Sequence, residues 1–297
     1  DRLNVVKLLS CSCQFGGRRI NQDRHLKSIL FDILLKRKDT DMNIKGIFFD
    51  VDGTLICHDK GRMSAATEAA LYALQEKGIR LFLATGRHIN ELVELQIDFP
   101  FDGYVLLNGQ LCLDRQRQVI FANPIEGKDK ERLVHLFTSC AFPMVIVEKE
   151  RLYINTVTDQ VKRAQKAISS TVPEVAKYHD QPFYQCTAFI DEQKNHQLAR
   201  ELTNCVITRW NPCGVDIISK QGGKDKGIQA MLAYFGMNAQ ETMSFGDGQN
   251  DKEMLQYTKI GVAMQEADPV AKKAADFVTK SAKDDGIVYA LKHYGIL

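Results

Sequence analysis

After residue 42 the chain alternates short, continuously apolar segments with stretches of helical period, and this alternation is the strongest constraint on its fold. Residues 44–50, 79–84, 104–107, 242–245 and 260–263 read as strands. Helices are predicted over 64–77, from Ile89, after Lys226, from Asp251, over 267–274 and over 284–293. A strand that is apolar at every position, not at alternate ones, has to be covered on both faces, and helical connections supply the cover. The predicted core is therefore α/β, a doubly wound parallel sheet. Ser64 and Gly78 bracket its first helix, as N-cap and as the residue beyond the C-cap.

The rhythm changes between about Pro124 and Ser219. Strand segments 144–148 and 152–156 are separated by a charged turn, Glu148 to Arg151, and further strands are predicted over 184–190, 206–210 and 214–219. Helical periods over 128–140, 159–170 and 193–202 interleave with them. Hairpin-like neighbours imply an antiparallel sheet with helices on one side. The expected organisation is an α/β core over 43–123 and 220–297, interrupted by an inserted α/β domain over 124–219.

Residues 1–42 stand apart. Positions 1–41 carry nine Lys and Arg against five Asp, whereas the following 256 residues carry 30 basic and 32 acidic groups. Met42 is read as the start of the domain, and what precedes it foremost as a leader without function. The stretch 25–38, a basic amphipathic pattern, leaves open a helix that touches a membrane surface or a partner. The net charge of the whole chain is only +2, which gives no reason to expect a nucleic-acid partner, and no apolar run approaches the length needed to span a bilayer. Eight cysteines with no C-x-x-C pair in a chain of 297 residues are read as reduced thiols in the cytoplasm; Cys11 and Cys13 have no zinc-spaced partners.

Four short segments stand where core strands end, the side on which open α/β sheets bind ligands. They are Asp50-Val-Asp-Gly-Thr-Leu55, Ala84-Thr-Gly-Arg87, Lys224 within Gly-Gly-Lys-Asp-Lys-Gly, and Gly246-Asp-Gly-Gln-Asn-Asp251. Gly53 allows a sharp turn that brings Asp50 and Asp52 towards one small volume. Two carboxylates that close need a cation, and magnesium, a hard ion that keeps waters and bridges to phosphate, suits them; Asp247 would complete the set. A calcium loop is excluded because Thr54 and Leu55 stand where an acidic ligand and a glycine are required. His58 and Asp59 are read as solvated loop residues, and Trp210 as packed rather than stacked on a ligand.

In this order, the four segments resemble the haloacid dehalogenase superfamily. The inserted segment, with Asn108-Gly109 just before it, resembles the Cof-type (type IIB) sugar phosphatases, whose inserted cap is of type C2B. The dehalogenases proper lack an acid two residues after the first aspartate, so Asp52 points to phosphoryl transfer. The resemblance implies a magnesium-dependent phosphomonoesterase acting on a small phosphorylated metabolite. It implies Asp50 as nucleophile and Asp52 as general acid and base. Asp50, the carbonyl of Asp52 and Asp247 would hold magnesium, and Thr85, Lys224 and the amides of Val51 and Gly86 would take the phosphate oxygens. It further implies that Asn250 orients the phosphate, that Gly248 supports the acidic loop, and that Asp251 fixes Lys224 or acts from beyond the metal's own ligands. Lys220 and Lys226 compete weakly with Lys224 for its role. For Arg87, a surface ion pair and a contact with the leaving group are left open. A sugar phosphomutase, or a metabolite-binding regulator on the same scaffold, are the alternatives. Tyr153, Tyr184, Arg209 and Trp210 of the insert are unranked candidates for substrate contact.

Overall fold

The computed structural model describes residues 43–57, 62–95, 97–168 and 170–297. Cys11, Cys13, the basic stretch 25–38, His58 and Asp59 lie outside the described residues. Among the described residues the strands form two sheets.

The first sheet centres on Gly46–Phe49 (β1), buried at all four positions. On one side of it run Thr242–Gly246 (β11), Ile260–Ala263 (β12) and Phe277–Val278 (β13); on the other, Arg80–Ala84 (β2) and Gly103–Leu106 (β3), all parallel. Alternation sends Phe48 and Phe82 to one face, where their rings stack at 4.7 Å against helices Lys224–Phe235 (α6) and Lys252–Tyr257 (α7). Ile47, Phe49, Leu81 and Leu83 are equally buried towards the other face, beneath Ala65–Glu76 (α1) and Gly286–His293 (α9), which pack on each other. Both faces are covered, as continuously apolar strands require. The Ser64 hydroxyl caps α1 by accepting from the Thr67 N–H at 3.1 Å.

Two features of this sheet depart from the sequence reading. Leu111–Asp114 (β4) and Val119–Ala122 (β5) extend it in antiparallel fashion beyond β3. The helix expected after Lys226 instead begins at Lys224, directly after Gly223, whose φ of +145° is a glycine conformation. That one-turn difference puts Lys224 on the first turn of α6 instead of in a loop.

The second sheet is antiparallel, in the order Leu152–Ile154 (β7), Met144–Glu148 (β6), Phe183–Phe189 (β8), Gly214–Ser219 (β10) and Cys205–Asn211 (β9). Met144, Ile146, Cys186, Ala188, Val215 and Ile217 share one face and bury Leu133, Leu136 and Phe137 of Gly127–Thr138 (α3) and Leu198 of Glu192–Glu201 (α5). The strand period of two then sends Val145, Val147, Gln185, Thr187 and Asp216 to the opposite face, where the register sets Val145, Thr187 and Asp216 in one row. Asp159–Ala167 (α4) leads back towards the first sheet. Tyr153 is buried on the α3 side with its hydroxyl on Glu148, so it is a core residue.

Asp129 ties α3 to the turn after α5: its carboxylate accepts from the N–H of Thr203 at 3.1 Å and of Asn204 at 2.7 Å. Burial acts to raise its pKa, but these backbone donors outweigh it and hold the carboxyl below the ordinary carboxylate range. A depressed folded-state pKa stabilises above the unfolded value and is lost as pH falls through the folded one. Asp129→Asn should therefore lower the melting temperature at pH 7 and narrow its gap to the native protein as the pH drops below 4, the acidic limb of the unfolded carboxyl.

Candidate active site

The ends of β1, β2 and β11 and the turn after β3 converge at one edge of the first sheet. Asp50 is the residue after β1 and is 6 % exposed. Its Oδ1 accepts from Lys224 Nζ at 2.6 Å, and the same ammonium donates to Asp251 Oδ1 at 2.5 Å, with Lys224 fully buried. Asp251 turns its other oxygen to the N–H groups of Asp247 and Gly248, at 2.9 and 2.8 Å. The loop after β11 is thus pinned by its own last residue. Gly246 leaves room for that side chain, since a Cβ there would meet the Asp251 carboxyl carbon at 2.5 Å.

Beyond Asp50 the chain reverses at Gly53, whose φ is +76°, so that Asp52 stays partly open at the same edge. Arg87 grips Asp52 by both oxygens, with Nε to Oδ2 at 2.6 Å and Nη2 to Oδ1 at 2.7 Å. The surface ion pair considered for Arg87 is not found: the residue is 7 % exposed. Its remaining donors reach the segment after α4, with Nη1 to Ser170 Oγ and Nη2 to Ile168 O, both at 2.7 Å. One guanidinium therefore joins Asp52 to the chain leaving α4. Burial works against its charge, but Asp52 and Glu91 more than offset this, so its pKa is raised.

Thr85 follows β2, is buried, and accepts the Arg87 N–H at 3.1 Å on its hydroxyl oxygen, which leaves the hydroxyl proton to donate. No backbone carbonyl of the described residues takes up the N–H of Val51 or Gly86. Asn250 donates to Asn108 Oδ1 at 2.9 Å, and Asn108 Nδ2 reaches Gln185 Oε1 of the second sheet at 3.3 Å. Asn108 holds a left-handed backbone, φ +54°, in the turn after β3. Neighbouring Gly109 lets that turn lie against the start of α6: a Cβ there would stand 2.0 Å from the Gly223 carbonyl oxygen.

The structure thus brings together Asp50, Asp52, Thr85, Gly86, Arg87, Asp247, Gly248 and Asn250 on one cavity of about 300 Å³, with Val51, Lys224 and Asp251 buried immediately behind it. Lys220 turns away to the Thr203 carbonyl and Lys226 pairs with Asp225, so neither takes the place of Lys224 between Asp50 and Asp251. Of the insert residues named from sequence, Trp210 lines the cavity. Tyr184 does not, and Arg209 is spent on the backbone carbonyls of Ile190, Asp191, Asn211 and Pro212.

Sequence reasoning missed the contacts that join the two sheets. His88 is buried, caps Ile89–Glu94 (α2), and meets the Lys149 carbonyl with Nε2 at 2.9 Å; Asn90 donates to the Glu150 carbonyl at 3.1 Å. Glu91 accepts from the His88 N–H and from Ser170 Oγ. The His88-x-x-Glu91 spacing is a capping-box pattern and was the available signal for the helix start, though not for the contact with the β6–β7 turn.

Asp50, Asp247 and Asp251 each place a carboxylate oxygen within 4.8 Å of the others. These are hard oxygen donors, the set that a small divalent cation takes. Since Arg87 neutralises Asp52, three carboxylates remain against the single ammonium of Lys224. Burial, and then the charges of Asp251, Asp247 and Asp52, push Asp50 well above the ordinary carboxylate range, with Lys224 offsetting only part of this. The donor chemistry and the charge imbalance both fit a divalent ion. Both oxygens of Asp251 are already engaged, on Lys224 and on the N–H groups of Asp247 and Gly248.

A parallel α/β sheet that delivers a buried aspartate onto a lysine and a second acidic loop, all at its carboxyl edge, defines a hydrolytic enzyme of the phosphoryl-transfer kind. The chain belongs to the haloacid dehalogenase-like hydrolase family, whose pattern matches residues 47–291, and is one of its phosphatases. It is 30% identical over 260 residues to YkrA of Bacillus subtilis (strain 168), which is named as a candidate phosphatase; the match spans 86% of this chain and 100% of that protein. Among solved structures, the sugar phosphatase BT4131, of subclass IIB, superposes with a TM-score of 0.77 at 35% identity, over 85% of this chain and 100% of that one. BT1666, a phosphatase from Bacteroides thetaiotaomicron, gives 0.79 at 29% identity, over 87% and 97%.

Proposed function

We propose that the protein is a magnesium-dependent phosphomonoesterase that hydrolyses small phosphorylated metabolites, sugar phosphates or similar, through an aspartyl phosphate. The observation that carries this reading is the pairing of Asp50, buried on Lys224, with Asp52, held by Arg87 at the mouth of the same cavity. Asp50 and Asp52 then have different environments and different tasks. Asp50, through a carboxylate oxygen, attacks phosphorus as the ester P–O bond breaks, and Asp52, which must release one oxygen from Arg87 and take up a proton from solvent before the step, gives that proton to the departing alkoxide. Asp52 next takes a proton from the water that attacks the aspartyl phosphate, which frees inorganic phosphate and restores Asp50. Thr85 Oγ1, the N–H groups of Val51 and Gly86, and Asn250 meet the equatorial oxygens. Lys224 keeps Asp50 aimed and Asp251 keeps Lys224 in place. Magnesium on Asp50 and Asp247, with the Asp52 carbonyl, would supply the positive charge that lets an anionic nucleophile meet an anionic phosphate.

Residues 124–219 are read as a cap of type C2B on a core of 43–123 and 220–297. The likeness to a sugar phosphatase supports a small phosphorylated substrate. The free thiols of Cys57, Cys112, Cys140, Cys186, Cys205 and Cys213 support a cytoplasmic setting, and no described helix is long and apolar enough to cross a membrane.

Phosphate release from p-nitrophenyl phosphate and a panel of sugar phosphates, with magnesium or with chelator, tests the reading. Turnover present with magnesium, absent in chelator and restored by added magnesium is the expected result; metal-independent turnover would defeat it. Arg87→Lys, which loses the two-point grip, should lower kcat on sugar phosphates by about 10- to 100-fold. The loss on p-nitrophenyl phosphate should be smaller, because that phenolate leaves without a proton. Equal losses on both would show that Arg87 does not position the acid.

A further inference from the structure

The cavity that begins at Asp50 and Asp52 continues to the open face of the second sheet, and its chemistry changes on the way. Val145, Val147 and the Trp210 indole give that end apolar walls. Set among them are oxygen acceptors. Gln165, on α4, is 6 % exposed, and its Oε1 is buried with no hydrogen-bond partner among the described residues. Such orphaned acceptors are rare because they lose water without gaining a donor. Asp216 presents a carboxylate from the next wall, on β10. Its Oδ1 accepts from Thr187 Oγ1 at 2.8 Å and Trp210 Nε1 at 3.2 Å, and Asn108 also donates to the carboxylate, so the neighbouring donors are spent on holding it. Burial pushes this carboxyl up to about 7, against the pull of those donors. Among the described residues, the one cation lining the cavity is Arg87, already engaged by Asp52.

We infer that Gln165 and Asp216 are specificity-determining residues for the leaving group: they accept hydrogen bonds from the hydroxyls of a neutral polyol and turn away esters that carry a second phosphate or carboxylate. The inference rests on the phosphatase reading above and narrows it. An apolar wall beside acceptors suits a polyhydroxylated ring, which has C–H faces and O–H edges. A second anion would meet Asp216 and an unpaired amide oxygen with no free cation to receive it, and would be rejected by repulsion and desolvation.

The test compares a hexose 6-phosphate, the matching hexose 1,6-bisphosphate and p-nitrophenyl phosphate on the native protein, Gln165→Leu and Asp216→Asn. The native protein should prefer the monophosphate to the bisphosphate by about tenfold or more in kcat/KM. Gln165→Leu should lower the ratio of hexose 6-phosphate to p-nitrophenyl phosphate by about tenfold, the scale of one lost hydrogen bond to a buried group. Assayed at about pH 8 to 8.5, above that carboxyl's value of about 7, Asp216→Asn keeps the shape but loses the charge, and should bring the bisphosphate closer to the monophosphate by a similar factor. Equal use of mono- and bisphosphate by the native protein, or losses of one common factor on all three substrates in both variants, would overturn the inference. Calorimetric binding of the two hexose esters to Asp50→Asn separates this from the parent reading. If no ester is turned over, the phosphatase reading fails; tighter binding of the monophosphate still supports the inference, and equal or reversed binding overturns it.

Discussion

Asp50→Asn is expected to abolish phosphate release, with kcat falling by about four orders of magnitude or more, as when the nucleophile of a covalent mechanism is removed. The amide matches the carboxylate in volume and still accepts from Lys224 Nζ, so the surrounding packing should persist. It cannot attack phosphorus as an oxyanion. The substitution also removes one of the carboxylates crowded with Asp247 and Asp251. In chelator, the variant should therefore melt at or above the temperature of the native protein, a gain in stability at the expense of activity. Loss of turnover together with unfolding would show instead that Asp50 is a structural residue. Turnover within about a hundredfold of native would show that another group attacks.

Lys224→Met should be the most destabilising single change at the site. Lys224 is fully buried between Asp50 and Asp251, and these two partners raise its pKa despite the opposing effect of burial. Methionine fills much of the same volume but leaves two buried carboxylates facing each other without a counter-charge. Removing one partner of a buried ion pair costs about 3–5 kcal/mol. Urea unfolding in chelator reads this as a lower midpoint at an unchanged slope. Adding Asp251→Asn to Lys224→Met should recover part of the loss, because the double variant has one unpaired carboxylate fewer. Additive losses would mean that the two residues do not share one charge network. Activity should fall in Lys224→Met as well, since Asp50 loses the group that aims it.

Much of the first sheet was legible because strands such as β1 and β12 are apolar at every position and helix starts carry cap residues, as with Ser64 before α1. The pair β4 and β5 was not. Val119 to Ala122 is apolar at all four positions, as continuous a run as β1, yet it is a half-exposed edge strand, and the run by itself does not say which sheet it joins. The strands of the second sheet were legible as short strand segments, the first two separated by a charged turn, yet that pattern does not say which face meets the helices and which meets the cavity. Tyr153 and Tyr184 looked like candidates for ligand contact, and the former is core. Gln165 and Asp216 carried no signal at all, because a lone glutamine on an amphipathic helix and a lone aspartate on a strand are ordinary surface residues until their neighbours are known.

The sequence alone determined the α/β class and the residues of the acidic loops, because each follows from local pattern: period, turn chemistry, and carboxylates two to four positions apart. The tertiary structure decided the partners. Arg87 lies 35 positions from Asp52 and 83 from Ser170, and Lys224 lies 174 from Asp50. Contacts at such separations depend on how the sheets pack, and a charged side chain becomes a buried ion pair only once the fold has removed water from around it.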